Sequence, residues 1–254
     1  MLEVLQVPCL SDNYGYLIHD SRNNLTATID TPEIGPLNAA LKQKGWSLTH
    51  ILNTHHHFDH AGGNLELKNQ WGCKIVGSKT DEARIPGIDL ALSDNETFQF
   101  GDYEARIFDV SGHTIGHIAY YFASENVLFS GDALFALGCG RLFEGTPAQM
   151  WDSLCKLKAL PNETSVYCAH EYTQSNAAFA LSVEPNNTAL QARSDEIAAL
   201  RAQGKPTVPS TLGLEKATNP FLRPDDITLQ TNLEMQGAPL VDVFAEIRRR
   251  KDHF

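Results

Sequence analysis

Thr54-His55-His56-His57-Phe58-Asp59-His60 sets four candidate metal ligands, His55, His57, Asp59 and His60, within six residues. Imidazole and carboxylate together suit a borderline divalent ion such as zinc, iron or manganese. Imidazole binds metal in its neutral form, which dominates near neutral pH, so little protonation cost opposes binding. The plain alternative is a surface histidine run or a tag, but a tag would be terminal and would lack the interleaved Asp59. Nor can adjacent titratable side chains all be satisfied in a core without partners. Three isolated candidates follow downstream: His113, Asp132 and His170.

The elements around the motif predict how it is aimed. His50-Ile51-Leu52-Asn53 reads as a short buried strand. If the chain stays extended beyond it, His55 and His57 project to one side and His56 to the other. Asp59-His60-Ala61-Gly62-Gly63 reads as a turn opening a helix through Asn64 to Leu67. Asp59 and His60 then sit at the helix start, turned toward a second position, so two metal sites side by side are predicted. Val110-Ser111-Gly112-His113, Phe129-Ser130-Gly131-Asp132 and Val166-Tyr167-Cys168-Ala169-His170 each end an apolar run with a candidate ligand. That is where a sheet presents side chains to a crevice. Each of these signals is weak alone and strong beside the dense motif.

The remaining pattern predicts strands at 4–7, 14–18 and 25–29, with turns at Asp12-Asn13 and Asn23-Asn24, and a helix over 34–44 ending at Gly45. Further strands are predicted at 74–76, 103–110, 117–122, 126–129 and 165–168, with a helix at 147–157. Hairpins mixed with crossovers imply an α/β (α+β) architecture of two mixed sheets covered by helices. Beyond Tyr172 the strand signals fade. Helices are expected at 175–182, 188–201 and 241–250, around a loop-rich stretch from Gly204 to Pro224. This divides the chain into a catalytic domain, 1–172, and a small helical C-terminal domain, 173–254.

The chain's 254 residues, 42% of them hydrophobic, allow one large domain or one plus a smaller one. A formal net charge of −11 argues against nonspecific binding to nucleic acid or anionic membrane. Met1-Leu2-Glu3-Val4 lacks the positive start of an export signal, and no apolar run approaches a membrane span. The five cysteines are odd in number and form no CxxC pair, as expected of reduced thiols in a cytoplasmic protein.

The histidine motif followed in order by His113, Asp132 and His170 resembles the metallo-β-lactamase superfamily. That resemblance covers roughly residues 1 to 172 and implies an αββα sandwich with metals at one sheet edge. A closer resemblance, over nearly the whole chain, is to glyoxalase II, the hydroxyacylglutathione hydrolases. It is carried by Ser111-Gly112-His113-Thr114-Ile115-Gly116-His117, Gly138-Cys139-Gly140-Arg141-Leu142-Phe143-Glu144-Gly145-Thr146 and Ala169-His170-Glu171-Tyr172-Thr173. Asn219-Pro220-Phe221-Leu222-Arg223 and Arg248-Arg249-Arg250-Lys251-Asp252 add to it.

The resemblance implies two divalent ions, zinc foremost, with iron or manganese also possible. His55, His57 and His113 would hold one; Asp59, His60 and His170 the other; Asp132 would bridge both. Together the two ions outweigh two carboxylates and a hydroxide, leaving a cationic site for an anionic intermediate. A metal-bridging hydroxide, made available as the water's pKa falls toward about 7, would attack the thioester of S-D-lactoylglutathione and related S-2-hydroxyacylglutathiones. The products would be glutathione and a 2-hydroxy acid such as D-lactate, the second step of methylglyoxal detoxification. Asp59 and Asp132 are the catalytic candidates, Asp59 as holder of the water's proton. A thiol leaving group of pKa about 8.5 requires no strong general acid.

Substrate carboxylates need local positive charge in an acidic chain. Arg248 and Lys251, three apart on a helix, share a face. On sequence alone such a run reads as a solvated helix end. The resemblance makes Arg248 and Lys251 contacts for glutathione carboxylates and places Arg141, Phe143 and Tyr172 along the tripeptide. Phe143 departs from the tyrosine of many relatives and costs one hydrogen bond, about 1 kcal/mol. His56 is at most a neighbour of the ligands, His117 a supporting or core histidine, Cys139 no nucleophile, and Phe58 packing. The expected protein is a cytoplasmic monomer. The rival readings are a lactonase of the same superfamily, a mononuclear-iron persulfide dioxygenase, or a non-catalytic metal- or partner-binding module.

Overall fold

The turn Leu10-Ser11-Asp12, with Leu10 at φ 49°, folds the first two strands together. In this computed structural model, which describes residues 1–254, β1 (Glu3–Cys9), β2 (Asn13–Asp20) and β3 (Leu25–Ile29) form an antiparallel meander. The second turn uses Asn24 at φ 50°, a conformation asparagine tolerates. The chain falls into two compact units, Met1–Asp109 with Thr114–Gly131, and Val110–His113 with Asp132–Phe254.

In the first unit, α1 (Ile34–Lys44) crosses over to β4 (His50–Leu52), which pairs parallel with β3. Gly45, at φ 69°, ends α1 by donating its N–H to the Leu41 and Lys42 carbonyls, as its position predicts. A one-turn helix α2 (Phe58–Ala61) and then α3 (Asn64–Trp71) lead to β5 (Lys74–Ser78), and β6 (Leu90–Leu92) completes the sheet in parallel. Asp59 and His60 thus lie within a turn of their own rather than at the start of α3. Leu37, Leu41 and Leu67 from α1 and α3 are fully buried among Leu17, Ile51 and Ile75 of the sheet. Each such side chain contributes about 1.5–3 kcal/mol on burial.

The second sheet of this unit is the antiparallel run β7 (Thr97–Phe100), β8 (Tyr103–Asp109), β9 (Ile118–Phe122) and β10 (Val127–Gly131). It packs face to face on the first. Tyr16 of β2 meets Phe129 of β10 at 5.5 Å. Tyr120 of β9, wholly buried, donates its hydroxyl to the Asn53 carbonyl at 2.8 Å. That bond ties β9 to the end of the β4 run that delivers the histidine motif.

The second unit opens with the hairpin β11 (Leu134–Phe135) and β12 (Gly138–Cys139). Next comes α4 (Pro147–Lys158), begun by a Thr146/Gln149 capping box with Pro147 in the first turn. β13 (Ser165–Cys168) follows, then α5 (Thr173–Val183), α6 (Thr188–Ala202), β14 (Ser210–Thr211), α7 (Leu212–Thr218), α8 (Ile227–Asn232) and α9 (Leu240–Asp252). An aromatic file, Trp151–Phe244–Phe221–Phe179 at 5.9–6.0 Å spacings, packs α4, α9 and α5 together. The stretch expected to be loop contains α7, whose start is capped by the Thr211 hydroxyl on Leu214 N. Inside α7, buried Glu215 pairs with Arg193 of α6 and accepts the Leu137 N–H of the hairpin turn at 2.8 Å.

Candidate metal centre

His55 and His57 follow the end of β4 in non-strand backbone, yet their side chains converge: His55 Nε2 lies 3.0 Å from His57 Nδ1. Hydrogen bonds assign the tautomer. Asp30 accepts the Thr54 N–H at 2.8 Å through Oδ1 and the Thr54 hydroxyl at 2.8 Å through Oδ2. With its hydrogen so committed, Thr54 Oγ1 accepts from His55 Nδ1 at 3.1 Å. His55 Nε2 is therefore the atom left to ligate an ion.

The same carboxylate orients His60. Asp30 Oδ2 lies 2.8 Å from His60 Nδ1, and both side chains are buried. A carboxylate only accepts, so the proton is on Nδ1 and Nε2 is left for an ion. Asp30 was not singled out from the sequence, although it ends the apolar run of β3 just as the other acidic candidate ends β10. Its backbone sits at φ 57°, strained for a non-glycine, and its three side-chain bonds hold it there. Asp59 Oδ2 lies 3.6 Å from His60 Nε2 and accepts from Asn13 Nδ2 at 3.1 Å. Asn13, read as a turn residue, is in β2 and aims Asp59.

In the second unit His113 Nδ1 donates to the Arg141 carbonyl at 2.7 Å, which turns its Nε2 toward Asp132. Asp132 Oδ2 lies 3.4 Å from His113 Nε2, and Asp132 Oδ1 lies 3.5 Å from His170 Nε2. One carboxylate thus offers each oxygen to a different histidine, the disposition a bridging ligand needs. The donor atoms fall into three groups, each within 4.8 Å: His55, His57 and His113; His55, His60 and Asp132; Asp59, His60 and His170. Between them the three groups include each of the seven predicted candidates. Five imidazoles, three of them with a fixed tautomer, together with two carboxylates fit a borderline divalent cation.

Two of the five substrate candidates, Phe143 and Tyr172, touch donor residues. The Phe143 ring stands 5.2 Å from His113, edge-on, and is largely exposed. Tyr172 stacks on His170 at 4.7 Å, with Phe135 edge-on to both. Arg141 is exposed, its Nε 3.5 Å from Asp252. Lys251, half buried, donates to the Ser175 carbonyl at 3.3 Å, and burial lowers its pKa. Arg248 is buried: it donates to the Cys139 carbonyl at 3.0 Å, pairs with Asp252 at 2.8 Å and lies over Phe221.

The supporting residues divide. His117 is buried and stacks on His55 at 4.7 Å, a supporting histidine as predicted. His56 turns away toward Asp81 at 2.9 Å. Cys139 is buried and its thiol is pushed up to about 11 by burial, so it is no nucleophile. Phe58 corrects the sequence reading. It is 83% exposed and packs no core, because the α2 turn directs Asp59 and His60 inward and leaves position 58 outside.

A two-sheet sandwich with this His/Asp donor set defines a member of the metallo-beta-lactamase superfamily, whose family description matches residues 27–170. ETHE1 from Myxococcus xanthus shares the fold at TM-score 0.66 and 24% identity, each chain covered in full. TTHA1623, solved in a di-iron-bound form, aligns at TM-score 0.62 and 25% identity over 87% of this chain and 100% of its own. The C-terminal part is more specific. Residues 171–254 match the "Hydroxyacylglutathione hydrolase C-terminus" family, and the hydroxyacylglutathione hydrolase of Methylococcus capsulatus is 57% identical over 100% of this chain and 99% of its own. The chain belongs to the hydroxyacylglutathione hydrolase family. No helix is long and apolar enough to cross a membrane.

Proposed function

We propose that this protein hydrolyses the thioester of S-D-lactoylglutathione and related S-2-hydroxyacylglutathiones to glutathione and a 2-hydroxy acid. The observation that carries this reading is the presence, in one chain, of the seven-ligand donor set and a matched C-terminal segment bearing Tyr172, Arg248 and Lys251. We assign one divalent ion to His55, His57 and His113, a second to Asp59, His60 and His170, and Asp132 to both. Zinc is the ion expected. The di-iron form of TTHA1623, a protein of the same fold, supports room for two.

When bound, such ions polarise a carbonyl and lower the pKa of water toward about 7. The chain's own residues do the rest. Asp30, Thr54 and the Arg141 carbonyl hold three imidazoles in the tautomer that presents Nε2. Asn13 fixes Asp59, whose carboxylate is placed to hold the proton released by the attacking water. Arg141 and Lys251 offset the carboxylates of the tripeptide, and Tyr172 and Phe143 line its path beside the ligands. Arg248 holds the Cys139 carbonyl as well as facing substrate, so its loss disturbs the Cys139–Arg141 segment too. Residues 1–172 supply the chemistry together with Arg141, Phe143 and Tyr172, and the C-terminal domain 173–254 adds Arg248 and Lys251, in a monomer acting in the cytoplasm.

The test is loss of thioester absorbance on adding S-D-lactoylglutathione, with and without chelator, together with metal counting. Turnover that needs two bound ions is expected. Oxygen consumption with glutathione persulfide in place of thioester hydrolysis, or bound metal with no turnover of either, would overturn the reading.

A further inference from the structure

Asp81 lies outside the ligand set, yet its side chain is fully buried. Burying a carboxylate costs several kcal/mol unless it is paired and hydrogen-bonded. Asp81 Oδ1 accepts from Arg84 Nε at 2.9 Å and from Arg84 Nη2. Oδ2 accepts from His56 Nδ1 at 2.9 Å. The carboxylate is also pressed from another side, since a Cβ at Gly116 would lie 2.1 Å from Oδ1. Only glycine lets the segment that follows His113 pass so close. Asp81 therefore touches two ligand-bearing stretches of chain, the histidine motif through His56 and the His113 segment through Gly116.

His56 stands between His55 and His57 in the chain. Fixing its side chain on a buried, Arg-paired carboxylate fixes the backbone between the two ligands, and with it the 3.0 Å approach of His55 Nε2 to His57 Nδ1. We infer that Asp81, clamped by Arg84, is a positioning residue for the metal centre and acts through His56 to hold the His55/His57 pair in binding geometry. The inference rests on reading His55 and His57 as metal ligands. It concerns a carboxylate 22 residues beyond Asp59 and outside the three donor groups.

Asp81→Asn keeps the shape and breaks the pattern. The amide oxygen takes the Arg84 side, so the NH2 faces His56 Nδ1, which keeps the contact only by moving its proton to Nε2, and the charge that clamps Arg84 is lost. The full-length parent, Asp81→Asn, His56→Phe and the double variant would be compared by zinc competition with a chromophoric chelator, by the visible spectrum of the Co2+-substituted protein, and by melting of the metal-free protein. Zinc affinity is expected to fall about tenfold or more in each single variant, with an altered Co2+ spectrum. The double variant should bind no worse than the weaker single, because both act through one contact. His56→Phe leaves the Asp81–Arg84 pair intact and carries the test if Asp81→Asn does not fold. Parent-like zinc affinity and Co2+ spectrum in His56→Phe, or in a folded Asp81→Asn whose only change is a lower melting temperature, would overturn the inference. A parent chain that takes up no zinc would sink the metal reading itself, and this inference with it.

Discussion

Asp30 Oδ2 stands 2.8 Å from His60 Nδ1, and the two side chains are buried together. The contact fixes which nitrogen of His60 faces the ion, so a change at residue 30 should register as metal affinity. In Asp30→Asn the amide either donates where His60 Nδ1–H also donates, or loses the bonds from Thr54. Partners of this kind are worth about 10–100-fold in metal affinity. Competition against a chelator should show one ion held at least tenfold more weakly and the other less affected. Equal retention of both ions would refute the role given to Asp30.

Asp132 differs, because its two oxygens face different histidines. Asp132→Ala removes the shared ligand from both positions. The expected result is substoichiometric metal after dialysis and loss of hydrolysis by at least about a hundredfold, the scale on which removing a key electrostatic group acts. His170→Ala should instead spare the ion at His55, His57 and His113. Elemental analysis of the two variants side by side distinguishes a bridging carboxylate from an ordinary ligand.

The elements that carry the ligands were legible because local pattern and tertiary use agree. Helix α1 was readable to its end because Leu37 and Leu41 share a face and Gly45 supplies the left-handed turn. Strands β6 and β7 were not, since they are too short to show a period and, unlike the equally short β4 and β13, lead into no candidate ligand. Helix α7 was hidden among prolines, its existence owed to the Thr211 cap and to Glu215 buried against Arg193. The seven candidate ligands could be singled out because their residue types are costly anywhere else. Asn13, Asp30 and Asp81 could not, since each acts on a partner 25 to 46 residues away that no local pattern connects to it.

Glu215 and Arg193 form a buried pair that also holds the Leu137 N–H and the Asn219 amide. Removing one partner strands the other charge. Glu215→Leu should destabilise the protein by about 3–5 kcal/mol, read as a shift in denaturant midpoint. Arg193→Met combined with Glu215→Leu should recover part of that loss, because no unpaired charge remains. A single variant within about 1 kcal/mol of the parent would mean that water reaches the pair, on the scale of exposed ion pairs.

The thiols should separate by burial. Cys9 and Cys139 are pushed up to about 11 and Cys168 to about 12, in each case by desolvation. Cys155 is the exposed one. A thiol whose pKa is raised by burial is less ionised at any pH below that value, and thiolate is the reactive form. Native protein at pH 8 should therefore show one rapidly reacting thiol by Ellman titration, lost in Cys155→Ser, and five after denaturation. Two or more fast thiols in the native state would contradict the burial of Cys9, Cys73, Cys139 and Cys168.

Lys251 should make substrate affinity fall in alkaline solution. Burial lowers its pKa below the usual 10.5. Only the protonated amine attracts a carboxylate, so its contribution is complete below that lowered value and is lost as pH rises through it. KM for the glutathione thioester should rise at the alkaline end while kcat changes less. Lys251→Arg, charged throughout, should flatten that rise. Lys251→Ala should raise KM about tenfold at neutral pH, the equivalent of about 1.4 kcal/mol. The alanine variant should also be insensitive to pH in this range. A KM that is flat with pH in the parent, or unchanged in Lys251→Ala, would remove Lys251 from the substrate site and leave it the structural role visible in its bond to the Ser175 carbonyl.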